Sequence, residues 1–137
     1  MERRRIYSDS RFEELAGYAR AVVDGDWIFV SGTSGHEQKS GTISDDVAAQ
    51  TRQSLKTIRT ALAEAGAGLD DVVRIRVYVS DRAHIVPVSG ILKETFDHCR
   101  PTNTTVVVQL AEDPMKVELE VTALRRHAHP GTGNTGA

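Results

Sequence analysis

Two acids stand two residues apart in the stretch MKVELEVTAL, at Glu118 and Glu120, and they are the clearest chemical signal in the chain. On an extended strand, side chains at this spacing point the same way, about 7 Å apart. On a solvated face such a pair is simply hydrated. Packed against another surface, an acid there loses water, gains a raised pKa and can act as a general base. Other chemistry is sparse. The histidines at 36, 84, 98, 127 and 129 form no HExxH pattern and no Cys/His pair set, so no metal site is expected. Cys99 sits beside His98 at a helix C-terminal end, which does not favour a thiolate, and it reads as a packed thiol. Ser31-Gly32 does not make a GxSxG elbow, and no Gly-rich phosphate loop follows a strand.

The elements that must position these acids follow from periodicity. In MKVELEVTAL, Val117, Leu119 and Val121 share one face, and Lys116, Glu118, Glu120 and Thr122 share the other, so 115–124 is predicted as a strand. A second strand is expected over 72–80, with Val73, Ile75, Val77 and Val79 inward and Arg74, Arg76 and Tyr78 on a solvated face. Asp24-Gly25 signals a hairpin between Val22-Val23 and the run Trp27–Val30. That run is apolar on both faces, which predicts a strand covered on both sides or turned toward a partner. A further strand is expected over 104–110.

Val47, Thr51, Leu55, Ile58, Leu62 and Ala65 recur at helical steps, predicting a long helix capped by Ser44 and stopped at Gly66 or Gly68. Its other face, with Gln50, Arg52, Gln53, Lys56, Arg59 and Glu64, is expected in solvent. A second helix is predicted over 85–98, with Pro87 tolerable only in its first turn. Strands and helices mix without strict alternation, so the class is α+β. Two singly striped helices cover one sheet face. The other, with candidates such as Ile28, Val30 or Val106, is left bare, and a bare apolar face implies self-association.

The totals set limits. A chain of 137 residues with 39% hydrophobic and 26% charged residues reads as one globular domain over 1–126. The Gly- and Pro-containing tail from 127 to 137 is expected to be disordered. A net charge of −2 argues against a nucleic-acid or anionic-membrane surface. No apolar run is long enough for a membrane span, and the basic start MERRRIYSDSRF has no apolar core of a secretory signal, so a cytoplasmic protein is expected.

Gly17-Tyr18, WIFVSG at 27–32, DVAAQTRQSL at 46–55, RIRVYVSD at 74–81, RPTNTTV at 100–106 and KVELEVTAL at 116–124 together resemble the RidA/YjgF reactive-intermediate deaminase family. The resemblance covers roughly residues 16 to 126. It implies a chorismate-mutase-like fold, a mixed sheet with two helices on one face. It also implies a homotrimer whose bare sheet faces pack together, with small metabolites bound in clefts between subunits. Better-studied members hydrolyse enamines and imines such as 2-aminoacrylate to 2-keto acids and ammonia, without a cofactor. By position, Tyr18 matches the site tyrosine, Ser31 the serine ending the SG strand, and Glu118 the acid that positions or activates water. Ser89 falls where many members have Asn, and Thr105 where many have Cys.

One position departs from the pattern. Asn103 stands where the deaminases proper carry Arg, 15 residues before Glu118. Arg grips a carboxylate with a fixed charge and two prongs, whereas Asn offers a neutral amide. Losing such a pair in a desolvated pocket costs on the order of 2–5 kcal/mol. That disfavours 2-iminopropionate and leaves three readings of the same cleft. One is hydrolysis of an imine or enamine with no carboxylate at that spot, and another is the same chemistry with a cation from Arg20 or Arg100. The third is a binding or regulatory trimer without catalysis. Endoribonuclease or translation-inhibitor activity, also described in the family, fits the charge and the few aromatics least.

Overall fold

The computed structural model describes residues 2–126. The tail expected to be disordered, and His127 and His129 with it, lies outside the described residues. In chain order the elements are β1 (Arg4–Ile6), α1 (Arg11–Ala16), β2 (Ala21–Asp24), β3 (Trp27–Ser34), α2 (Val47–Glu64), β4 (Val72–Val79), α3 (Ile85–Phe96), β5 (Thr102–Val107) and β6 (Val117–Leu124). Among the described residues the strands form one six-stranded sheet in the order β1-β2-β3-β6-β4-β5. Neighbours are antiparallel except β4 and β5, whose parallel pairing needs a crossover, and α3 supplies it.

The long apolar stripe makes α2 as expected, with Thr51, Leu55, Ile58, Leu62 and Ala65 all buried. Its cap differs. Ser44 accepts from the Asp46 amide, and Asp46 in turn caps the helix by accepting from Ala49 N–H at 2.8 Å. Gly66 ends the helix in the left-handed region, at φ 76°, where a side chain is disfavoured. Helix α3 stops at Phe96, short of His98, and Pro87 sits in its first turn. Together α2 and α3 cover one sheet face. Their Leu55, Ile58, Leu62, Val88 and Leu92 join Ile28, Val30, Ile75, Val77, Leu119 and Val121 in a single core.

Several expectations need correction. Ile28 and Val30 belong to this core, not to the bare face. The apolar side chains left exposed include Trp27 at 45%, Phe29 at 46% and the Val106–Val108 run, and the Trp27 and Phe29 rings stack at 6.3 Å. Val73 is exposed because the β4–β6 register shifts between Val72 and Arg74, which turns Val72 inward instead. The hairpin turn is Gly25-Asp26, since Asp24 already pairs with Trp27, and Gly25 takes φ 61°. Strand β5 starts at Thr102 rather than Thr104 and ends at Val107, and β6 starts at Val117 rather than Met115. Strand β1 and helix α1 were not expected, being too short to show a period.

Gln50 was expected in solvent and is fully buried. Its amide donates to the carbonyls of Ser44 and Pro114, at 2.8 and 2.9 Å, and accepts from Lys116 N–H at 2.8 Å. It therefore ties the start of α2 to the segment that leads into β6. A buried amide that satisfies three backbone groups is costly to remove, because those groups lose water and partner together. Gln50→Ala is expected to lower unfolding stability by about 2–4 kcal/mol, read by urea denaturation. A change within experimental error would show that Gln50 does not anchor β6.

Candidate active site

The alternation of β6 places Glu118 and Glu120 on the face away from the helices, and the two acids then diverge. Glu120 accepts from the Tyr78 hydroxyl at 2.8 Å and lies 3.7 Å from Arg76. The Glu118 carboxylate makes no hydrogen bond or ion pair with any described residue, yet it is half-buried. Burial pushes its carboxyl above the ordinary value, nearby Arg20 pulls the other way, and Glu120 adds a smaller upward push. A half-buried acid with unspent acceptor capacity and a raised affinity for protons is suited to take a proton from water.

The wall around Glu118 is built by Arg20, which the sequence reading had considered only as a substitute cation. Arg20 is 3% exposed and pairs with buried Glu13 at 3.2 Å. It also donates to Gly32 O at 2.8 Å and to Thr33 Oγ1 at 3.0 Å, and its guanidinium lies over the Tyr18 ring. Glu13 is held in turn by the amide and hydroxyl of Ser8. One ion pair thus clamps α1, the segment before β2, and β3. Gly17 takes φ 74° after α1, which turns the chain so that Tyr18 reaches the cleft. Gly32 leaves room for the Glu118 carboxylate, since a Cβ there would lie 2.5 Å from Glu118 Oε2 and displace it.

These residues line a cleft of about 520 Å³ that includes Tyr18, Arg20, Gly32, Ser34, His36 and Glu118. Of the expected site residues, Tyr18 and Glu118 are brought together there. Ser31 lies just behind the wall. Its hydroxyl donates to Ala19 O at 2.7 Å and so fixes the segment carrying Tyr18. The other expected residues are elsewhere in the chain. Ser89 and Asn103 line a separate hollow of about 270 Å³ between α3 and the edge strand β5, with Arg100 at its rim. Thr105 donates to the Asn103 side-chain oxygen at 2.9 Å. Arg100 is already bound to Asp97 at 2.6 Å, so it is no unengaged cation. Within one subunit, then, the site residues form two groups.

Cys99 is partly buried, and burial pushes its thiol up, which suits packing rather than attack. Among the described residues no group of three or more metal-ligating side chains occurs, and no helix is long and apolar enough to cross a membrane.

A mixed sheet with two helices on one face is an architecture already known. The crystal structure of Rv2704 from Mycobacterium tuberculosis, of the YjgF/YER057c/UK114 family, superposes with a TM-score of 0.82 at 40% identity, covering 90% of this chain and 99% of that one. The family model described as Endoribonuclease L-PSP matches residues 8–125. The chain belongs to this family, that of RidA and YjgF. Among its relatives, the uncharacterized protein SCO2049 of Streptomyces coelicolor is 37% identical over 123 residues, 89% of this chain and 92% of that protein. The 2-iminobutanoate/2-iminopropanoate deaminase of Salmonella typhimurium is 30% identical over 115 residues, 82% and 90% of the two chains.

The raised pKa of Glu118 has a consequence for stability. A carboxyl that binds its proton more tightly when folded stabilises the protein at low pH, and that contribution is lost as pH rises through the folded-state pKa. Glu118→Gln, which keeps the shape without the charge, is expected to be more stable than the parent at about pH 8. The gain should shrink toward about pH 4, measured as denaturation midpoints. A difference that does not change with pH would contradict the perturbed carboxyl.

Proposed function

We propose that the chain is a RidA-type hydrolase that adds water to imine or enamine metabolites and releases ammonia. The observation that carries this reading is Glu118, a half-buried, unpartnered acid with a raised pKa, set in a cleft beside Tyr18 and Arg20. The deaminase name of the Salmonella relative supports it. The working unit is a homotrimer with the chorismate-mutase-like arrangement, in which the sheet faces bearing Trp27, Phe29 and Val106 pack together. Every residue of edge strand β5 is exposed in the single chain. In the trimer this edge, with Asn103, Thr105 and nearby Ser89, borders the neighbour's Glu118 cleft and completes the small-molecule site. Catalysis requires no cofactor, the folded unit spans 1–126, and the protein works in the cytoplasm.

Asn103 narrows the substrate. It offers a neutral amide, and the cations lining its hollow, Lys93 and Arg100, both pair with Asp97. The preferred substrate therefore presents an uncharged hydrogen-bonding group at that point, and 2-iminopropionate binds poorly. The same loss of charge is the observation behind a second reading, a trimer that binds a metabolite without turning it over. Endoribonuclease activity is the weakest fit, since the chain carries a net charge of −2.

The test is ammonia release from enzymatically generated imines, with Glu118→Gln as the null variant and light scattering to establish a trimer. Turnover that requires Glu118 is expected. Turnover equal in parent and variant across a broad substrate panel, or a monomer at micromolar concentration, would sink the proposal. Asn103→Arg is expected to raise kcat/KM for a carboxylate-bearing imine by about 30-fold or more. No gain would mean that Asn103 does not face the substrate.

A further inference from the structure

We propose that Ser34, His36 and Glu112 form a proton relay facing Glu118 across the same cleft. Ser34 Oγ lies 2.7 Å from His36 Nδ1, and His36 Nε2 lies 3.0 Å from Glu112 Oε1. All three line the cleft, and Ser34 is the direct strand partner of Glu118 in the β3–β6 register. A hydroxyl, an imidazole and a carboxylate in hydrogen-bonded series are a recurring arrangement for moving a proton.

The relay is held in place by the fold. Gly35 permits the close turn between Ser34 and His36, since a Cβ there would lie 2.6 Å from the Gln50 backbone. The His36 backbone bridges Ile43, and Gln38 donates to its carbonyl at 3.1 Å. Arg11 of α1 reaches Glu112 at 3.5 Å, so the carboxylate end is fixed too. Both imidazole nitrogens are engaged, and the Ser34 hydroxyl is the relay's end nearest Glu118. In neutral His36 the proton therefore sits on Nε2, toward Glu112, and Nδ1 accepts from Ser34.

The inference rests on the proposed hydrolysis and assigns its acid half. As water adds to the imine carbon, Glu118 takes a water proton and the C=N electron pair moves to nitrogen. The nitrogen takes the Ser34 proton, and Ser34 is refilled from protonated His36, whose charge Glu112 stabilises. In the second half, Glu118 returns its proton to the departing amine and the C–N bond breaks. The carbinolamine hydroxyl proton goes back through Ser34 to His36, and ammonia and the carbonyl product leave with both groups restored. His36 and Glu112 act through Ser34 and are positioning residues.

The test measures kcat, KM and the pH profile of the full-length protein on any imine that it turns over, with thermal unfolding to confirm folded variants. The charged groups facing the relay are Asp9, Arg11, Arg20, Glu37, Lys39 and Glu118, and all but those mutated stay constant. Ser34→Ala and His36→Asn are expected to lower kcat by on the order of 100-fold with little change in KM. Glu112→Gln should lower kcat less than His36→Asn does, again with little change in KM, because the imidazole and Ser34 stay in place. If Glu118→Gln is inactive while Ser34→Ala and His36→Asn keep parental kcat and pH profile, the relay is wrong and the hydrolase reading stands. If parent and Glu118→Gln are equally inert, both fall.

Discussion

A sheet has two faces, and this chain supplies helices for one of them. Helices α2 and α3 seal the side lined by Ile28, Val30, Leu119 and Val121. Burying the second face as well would take two more elements with apolar stripes, and the described chain has none to give. What remains is a surface carrying stacked Trp27 and Phe29, Val106, and the charged ladder of Arg76, Glu120 and Tyr78. A bare apolar patch of this sort calls for a partner surface. The proposed trimer follows from that imbalance, and so does the division of the site into two groups.

The cleft depends in turn on one buried ion pair. A buried charge is tolerable only when paired and hydrogen-bonded, and Arg20 meets that condition by drawing in Glu13, Gly32 and Thr33. The geometry that satisfies Arg20 brings Gly32 under Glu118 and Tyr18 alongside it. Glu118 is then left without a direct partner while Glu120, two residues on, is tied to Tyr78. Two acids with the same spacing and the same face thus differ because their neighbours differ. Gln50 acts similarly on the other flank by fixing the approach to β6.

Long periodic features were legible in the sequence. The stripe of α2 and the alternation of β6 each repeat often enough to exclude other readings, and they fixed the α+β class and the facing of Glu118. The quoted motifs gave the family, which the fold comparison bears out. Short or irregular features were not legible. Strand β1 and helix α1 have too few residues for a period, and the register shift in β4 that exposes Val73 is a tertiary event. Gln50 reads as a surface residue because its burial depends on partners distant in sequence, and the clamp that Arg20 forms was hidden for the same reason. The Ser34-His36-Glu112 series was invisible for the same reason, although Ser34 and His36 lie close together. Motif matching grouped Asn103 and Ser89 with Glu118, but in one subunit they lie in separate hollows.

The central claim is that a working site takes one half from each of two subunits. It is tested most directly by coexpressing two differently tagged, individually inactive variants: Glu118→Gln, and Asn103→Trp to block the β5 half. If sites are shared, mixed trimers purified through both tags regain turnover. In each such mixed trimer about one cleft in three then carries both intact halves. Mixed oligomers that stay as inactive as the parent variants would contradict the shared site.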